Sequence, residues 1–132
     1  MSFRVDGLYT RQDVLSARGL ADPGGGAWYT GLVEHDGEWF IFCGVGTGGR
    51  TGHDYHNVFV DGELIWRGRT GSKADHPSIR ALTSPSAVVH IFYREDDRAP
   101  FTYAGLGSAR RVDPVIPVRV HWTLKRGGGG RW

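Results

Sequence analysis

One stretch concentrates the chemistry of this chain. Arg50-Thr51-Gly52-His53-Asp54-Tyr55-His56-Asn57 sets two imidazoles, a carboxylate, a phenol, an amide and a guanidinium within a few positions of one another. Gly48 and Gly49 precede it, and the strand-like run Val58-Phe59-Val60 follows. Such a loop could ligate a metal, act as a general acid and base, read a ligand by hydrogen bonding, or serve only as a polar turn.

Metal binding needs three or four N, O or S ligands converging on one point. His53 and His56 are three residues apart, and Asp75 and His76 lie further along. No HExxH motif, cysteine pair or paired acidic spacing accompanies them, so the sequence calls for no metal and no other cofactor. His90 and His121 fall inside strand-like runs, where a hydrogen-bonded structural histidine is the simpler reading. Nucleophilic catalysis finds no G-x-S-x-G turn. Cys43 lies in an apolar run and reads as a small buried hydrophobe. The glycines of Gly44-Val45-Gly46-Thr47-Gly48-Gly49 lack the amphipathic helix that a dinucleotide loop requires. They suit tight turns or close approach of a ligand to the backbone. The sequence therefore leans away from an enzyme.

A ligand pocket fits better. Trp28, Tyr29, Tyr55 and Trp66 stand beside glycine-rich or polar segments. Two such rings could sandwich a flat aromatic ligand. Asp54 or Asp75 could accept from an exocyclic amine, Asn57 could read a carbonyl, and His53 and His56 could shape the loop. Stacking plus hydrogen bonds on the pairing edge is the chemistry that holds an extruded nucleobase. The alternative is that Tyr55 and Trp66 cover the core at a barrel end. Trp39, Phe40, Phe42, Phe59 and Phe92 are expected to be core. Arg50, Arg67, Arg69 and Lys73 alternate with small residues nearby, a pattern that lets cations approach a phosphate backbone. An ordinary solvated hairpin end would look the same.

The elements that must position these residues are mostly strands. The chain has 132 residues, 39% hydrophobic and 23% charged, with one cysteine and a formal net charge of +2. This suits one globular domain without a disulfide. No apolar run approaches the length of a membrane span, and the first residues do not read as a signal peptide, so a cytoplasmic protein with no membrane partner is expected. Thr10 and Asp13 read as a capping box opening a helix that Gly19 ends. Trp28 to Glu34 and Glu38 to Gly44 flank a hairpin turn at His35-Asp36-Gly37, and Val58 to Val60 and Glu63 to Arg69 flank Asp61-Gly62. A short helix is expected at His76 to Leu82. Ala87 to Arg94, Phe101 to Leu106 and Val118 to Leu124 read as strands, the last alternating cleanly.

Six to seven short strands with two short helices favour a small closed β-barrel over residues 1–125, with a flexible tail at 126–132. An open sheet with both helices on one face is the alternative.

Four stretches together carry a family resemblance: Tyr9 to Val14 (YTRQDV), Gly49 to Asn57 (GRTGHDYHN), Trp66 to Ser72, and His90 to Gly107 (HIFYR followed by APFTYAGLG). They resemble the C-terminal recognition domain of bacterial restriction and helicase–nuclease proteins, itself similar to SRA and PUA-like barrels. The resemblance spans about Tyr9 to Leu124. It implies a module of restriction or phage defence that binds DNA carrying modified cytosine and flips the base into an aromatic pocket. The HDYHN loop and Trp66 would form the pocket wall, with Arg50, Arg69 and Lys73 on phosphates. These residues include no nuclease or helicase segment, so the implied partners are modified DNA and a separately encoded nuclease or helicase. Two other readings stay open. One is a small metal-dependent nuclease or hydrolase using His53, Asp54, His56 and His76. The other is a module that binds a protein or a small ligand.

Overall fold

The computed structural model describes residues 3–46 and 57–125. Its strands are β1 (Leu8–Tyr9), β2 (Leu32–His35), β3 (Glu38–Gly44), β4 (Val58–Val60), β5 (Glu63–Arg67), β6 (Val88–Arg94), β7 (Phe101–Asp113) and β8 (Arg119–Lys125). Two helices, α1 (Arg11–Ala17) and α2 (Pro77–Leu82), complete the framework with a 3-10 turn at Gly26–Tyr29.

Local chemistry explains the boundaries. The Thr10 side chain accepts from the Asp13 backbone N–H and the Asp13 carboxylate accepts from that of Thr10, so both ends of the capping box are closed. Gly19, at φ +73°, ends the helical segment as expected. Pro77 opens α2, where its missing N–H costs nothing. Asp36-Gly37 and Asp61-Gly62 join strands that pair directly across them, and all four residues have positive φ. This is the two-residue turn whose twist matches a hairpin. Trp28 and Tyr29, expected in a strand, instead form the 3-10 turn before β2. β7 runs well beyond Leu106, to Asp113.

All strands join one mixed sheet in the order β2-β3-β6-β7-β8-β5-β4, with β1 added on β7. β3 and β6 run parallel and every other pair is antiparallel. Among the described residues the ladder ends on β2 and β4 and does not close. The expected mostly-β fold is therefore present, but as an open sheet rather than a hydrogen-bonded barrel.

Alternation divides the apolar residues between two faces. Ile41 and Cys43 of β3 join Leu64, Trp66, Val89, Ile91, Val118, Val120 and Trp122 in one cluster, which Ile79 and Leu82 of α2 cover. Phe40 and Phe42 point the other way, with Phe92, Phe101 and Tyr103, and Val14 of α1 packs on them. The helices thus lie on opposite faces, unlike the one-sided alternative. Of the expected core rings, Phe40, Phe42 and Phe92 are buried, and Trp39 is half-buried against the first cluster. Phe59 is 38% exposed. Its ring meets Tyr93 of β6 edge-on, with centroids 4.8 Å apart, so the β4 edge curls back toward β6.

A bulge bends β7. Ile91 pairs with Gly105 and Phe92 with Tyr103, leaving Ala104 as the extra residue. Gly105 has φ +116°, and a Cβ there would lie 2.6 Å from the Lys125 carbonyl oxygen. Only glycine fits this crossing.

Candidate functional site

The chemistry-rich segment is rooted at a defined place. His53, Asp54, Tyr55, His56 and Arg50 lie outside the described residues, but the chain on either side of them does not. It leaves the sheet after Gly44 at the end of β3, where the Val45 N–H donates to the Arg94 carbonyl of β6 at 2.9 Å. It returns at Asn57, directly before β4.

Asn57 fastens this root. Its amide nitrogen donates to the Gly44 carbonyl at 3.1 Å, and its amide oxygen accepts from the Arg67 N–H at 2.8 Å. The residue is 8% exposed. β3 and β5 are separated in the ladder by β6, β8 and β7, so this one side chain spans the gap that backbone pairing leaves open. Its amide is already engaged on both sides, which replaces the expected role of reading a base carbonyl with a structural one.

The cations of the next turn stand beside this root. Arg67 is half-buried at the end of β5, while Arg69 and Lys73 are exposed in the segment that follows. That segment is tied down by its own backbone. Gly68 N–H donates to the Val118 carbonyl, Ser72 N–H to Arg69, and Val118 N–H to Ser72. His76 accepts at Nδ1 from the Lys73 N–H at 3.2 Å, and Asp75 is exposed next to it. Exposed cations on a pinned turn can contact phosphate without large ordering cost.

Among the described residues, the expected pocket rings do not come together. Trp66 is 4% exposed and stacks edge-on with Trp122, so the core occupies its ring. Trp28 packs on Phe40 and His35 across the sheet from Trp66. One pocket cannot be lined by both. Tyr29, next to Trp28, donates its hydroxyl to Asp22 at 2.7 Å and receives from Gln12. The alternative reading, a ring packed on the core, is the one that holds for Trp66, and Trp28 is partly buried against the second cluster.

The histidines expected to be structural are so. Nε2 of His90 lies 3.0 Å from a Glu38 carboxylate oxygen, and its Nδ1 lies 2.9 Å from the Tyr103 hydroxyl. An ionised carboxylate can only accept, so Nε2 carries the proton and Nδ1 accepts from Tyr103. Arg18 also donates to Glu38 at 3.1 Å. Burial lowers the His90 pKa, against the opposing pull of Glu38. Burial pushes Tyr103 up to about 12, and Cys43 likewise to about 12. Cys43 is thus a small hydrophobe held as the thiol. No group of three metal-ligating side chains occurs among the described residues.

A second cluster, on β7 and β8, was not singled out from the sequence. Asp113, 6% exposed, accepts from Arg111 Nε at 2.6 Å, Arg119 Nε at 2.7 Å and His121 Nε2 at 2.9 Å. Hydrogen bonds from Arg119, then His121, then Arg111 hold its carboxyl far below the ordinary carboxylate range. Arg110 grips Glu63 of β5 through both Nε and Nη2. The sequence signal was available: Arg119 and His121 occupy the face of β8 opposite Val120 and Trp122.

Comparison with protein-family models and with curated proteins gave no match. No described helix is long and apolar enough to cross a membrane.

Proposed function

We propose that this chain is a nucleic-acid-binding module that reads a modified base, with modified cytosine in DNA as its target, within restriction or phage defence. The observation that supports the reading is how the described chain on either side of residues 47–56 is held. Asn57 bonds both Gly44 and Arg67, and the exposed Arg69 and Lys73 follow Arg67 in sequence. In this reading Tyr55 stacks on the extruded base, Asp54 accepts from its exocyclic amine, and His53 and His56 shape the loop. Arg50, Arg69 and Lys73 contact phosphates. The curled sheet is the counterpart of the PUA/SRA-like barrel implied by the resemblance, and a nuclease or helicase on another chain supplies cleavage.

The test is a fluorescence-anisotropy titration at fixed salt. It compares an unmodified duplex, the same duplex carrying 5-methyl- or 5-hydroxymethylcytosine, and single strands. Tighter binding to one modified duplex, with the preference lost in Asp54→Ala while most general affinity remains, is expected. Equal affinity for all duplexes would refute base reading. Cleavage dependent on an added divalent metal and lost in His53→Ala would replace the reader by an enzyme.

A further inference from the structure

The outer face of the β7–β8–β5 part of the sheet carries an arrangement that the loop-centred reading does not use. On β8, Val120 and Trp122 point into the core, as does Val118 just before it, so Arg119 and His121 point out. Pairing places Arg119 between Arg67 of β5 and Asp113 of β7, and His121 between Ile65 and Arg111. Arg110 reaches across β8 to Glu63. This face therefore gathers four guanidiniums, those of Arg67, Arg110, Arg111 and Arg119, against two carboxylates. Both helices pack elsewhere.

The manner of holding is as informative as the charge. Arg111 and Arg119 are each bonded to Asp113 through Nε alone. Among the described residues, no hydrogen bond engages their terminal Nη atoms. Their side chains are 61% and 34% exposed, whereas that of Asp113 is 9% exposed. Asp113 fixes the two planar groups from beneath and leaves their outer edges to solvent. A guanidinium anchored this way presents paired N–H donors that match the oxygens of a phosphate, with little further side-chain entropy to lose. Asp113 offsets one of the two charges, and the cluster stays cationic.

We infer that Arg111 and Arg119, oriented by Asp113, form a phosphodiester-binding clamp on the outer sheet face, joined through Arg67 to the cations at the loop root. The inference rests on the nucleic-acid reading and extends it: the backbone track lies along the sheet and not only at the turn carrying Arg69 and Lys73. Arg119 and Arg67 are cross-strand neighbours on strands about 4.8 Å apart, and Arg111 lies diagonal to Arg119 opposite His121, so the three lead across the strands toward that turn. A polyanion with regular charge spacing fits such a row better than an isolated anion. Asp113 is a positioning residue here and touches no ligand.

The experiment is a salt series of anisotropy titrations with a labelled duplex, using the full chain and Arg111→Gln/Arg119→Gln. Because that pair leaves Asp113 buried beside only His121, a triple variant adding Asp113→Asn removes the unpaired charge. Thermal unfolding shows which variants are folded. Loss of two phosphate contacts should lower the slope of log affinity against log salt by about two and weaken binding about thirty-fold at physiological salt. The preference for modified over unmodified duplex should stay unchanged. Wild-type binding matched by the folded triple variant, with the same slope, would overturn the clamp and leave the base-reading proposal standing. No duplex or single-strand binding by the wild type would overturn both. Retained duplex binding combined with lost binding of poly-glutamate would overturn the clamp in favour of an acidic protein partner.

Discussion

Asn57→Ala is the most informative single change, because it separates a structural anchor from a base-reading residue. The substitution removes the donor to the Gly44 carbonyl and the acceptor for the Arg67 N–H. Gly44 is exposed, so water can recover its carbonyl and the loss there is about 1 kcal/mol, the net value of an ordinary hydrogen bond. Arg67 N–H faces the space vacated by a side chain that is 8% exposed, and an unsatisfied donor in such a place costs about 1–2 kcal/mol. The sum is about 2–3 kcal/mol. For a domain of this size that corresponds to a fall in Tm of roughly 6–12 °C. Urea and thermal unfolding followed by circular dichroism measure it. Asn57→Asp should be at least as damaging, since its carboxylate keeps the acceptor for Arg67 but faces the Gly44 carbonyl without a proton to donate. Well below its Tm, Asn57→Ala should keep whatever ratio of affinities for modified and unmodified DNA the wild type has. A stability change under about 0.5 kcal/mol would show that the two wings of the sheet do not depend on this side chain, and the reasoning would fail.

Two further outcomes follow from the interior. His90 is held neutral by burial, with a folded pKa below the ordinary value of about 6.5, so the unfolded chain takes up this proton first as pH falls. The His90 contribution is fully present above about pH 6.5 and is lost as pH drops through the folded pKa. His90→Gln, which can still donate to Glu38 and accept from Tyr103, should flatten stability against pH below about pH 6.5; an unchanged slope assigns the dependence to other groups. Gly105→Ala should destabilise by about 2–4 kcal/mol, because a Cβ at φ +116° meets the Lys125 carbonyl oxygen at 2.6 Å. Native-like urea midpoints would show that the β7 bulge relaxes around it.

What was legible in the sequence was what local chemistry decides. Thr10 and Asp13 announced α1, and Asp36-Gly37 and Asp61-Gly62 announced two hairpins, because caps and positive-φ turns act within four residues. The alternation of β8 gave the correct inward side chains. Long-range facts were hidden. Trp66 looked free because it borders a polar turn, yet its neighbours Leu64 and Arg67 place it on the core side of β5. Trp28 and Trp66 looked like partners until the two faces of β3 separated them. The resemblance motifs divide similarly. Phe101 and Tyr103 are 2% and 4% exposed and Gly105 makes the bulge, so that motif is framework. Arg11, within the first motif, donates to the carbonyls of Trp28 and Thr30 and sits 4.6 Å from the Phe42 ring, which is framework too.

With these residues assigned to framework, the chemistry left over has a definite distribution. Two polar groups of the interior are satisfied, His90 by Glu38 and Tyr103, and Asn57 by Gly44 and Arg67, whereas Arg67 Nε and Trp122 Nε1 are buried without a hydrogen-bond partner among the described residues. Uncommitted donors among the described residues include the Nη groups of Arg111 and Arg119, on the face that Arg67 shares, and the exposed Arg69 and Lys73 that follow Arg67 in sequence. A protein using that segment alone would gain little from buried carboxylate support beneath two arginines on β7 and β8. A protein holding a long anion against the sheet, while the segment addresses one unit of it, would need both. Under the proposed reading, the Asp113 cluster and the Asn57 anchor serve one purpose, which is to set the cations of β7 and β8 and the ends of β3 and β5 in fixed relation before a ligand arrives.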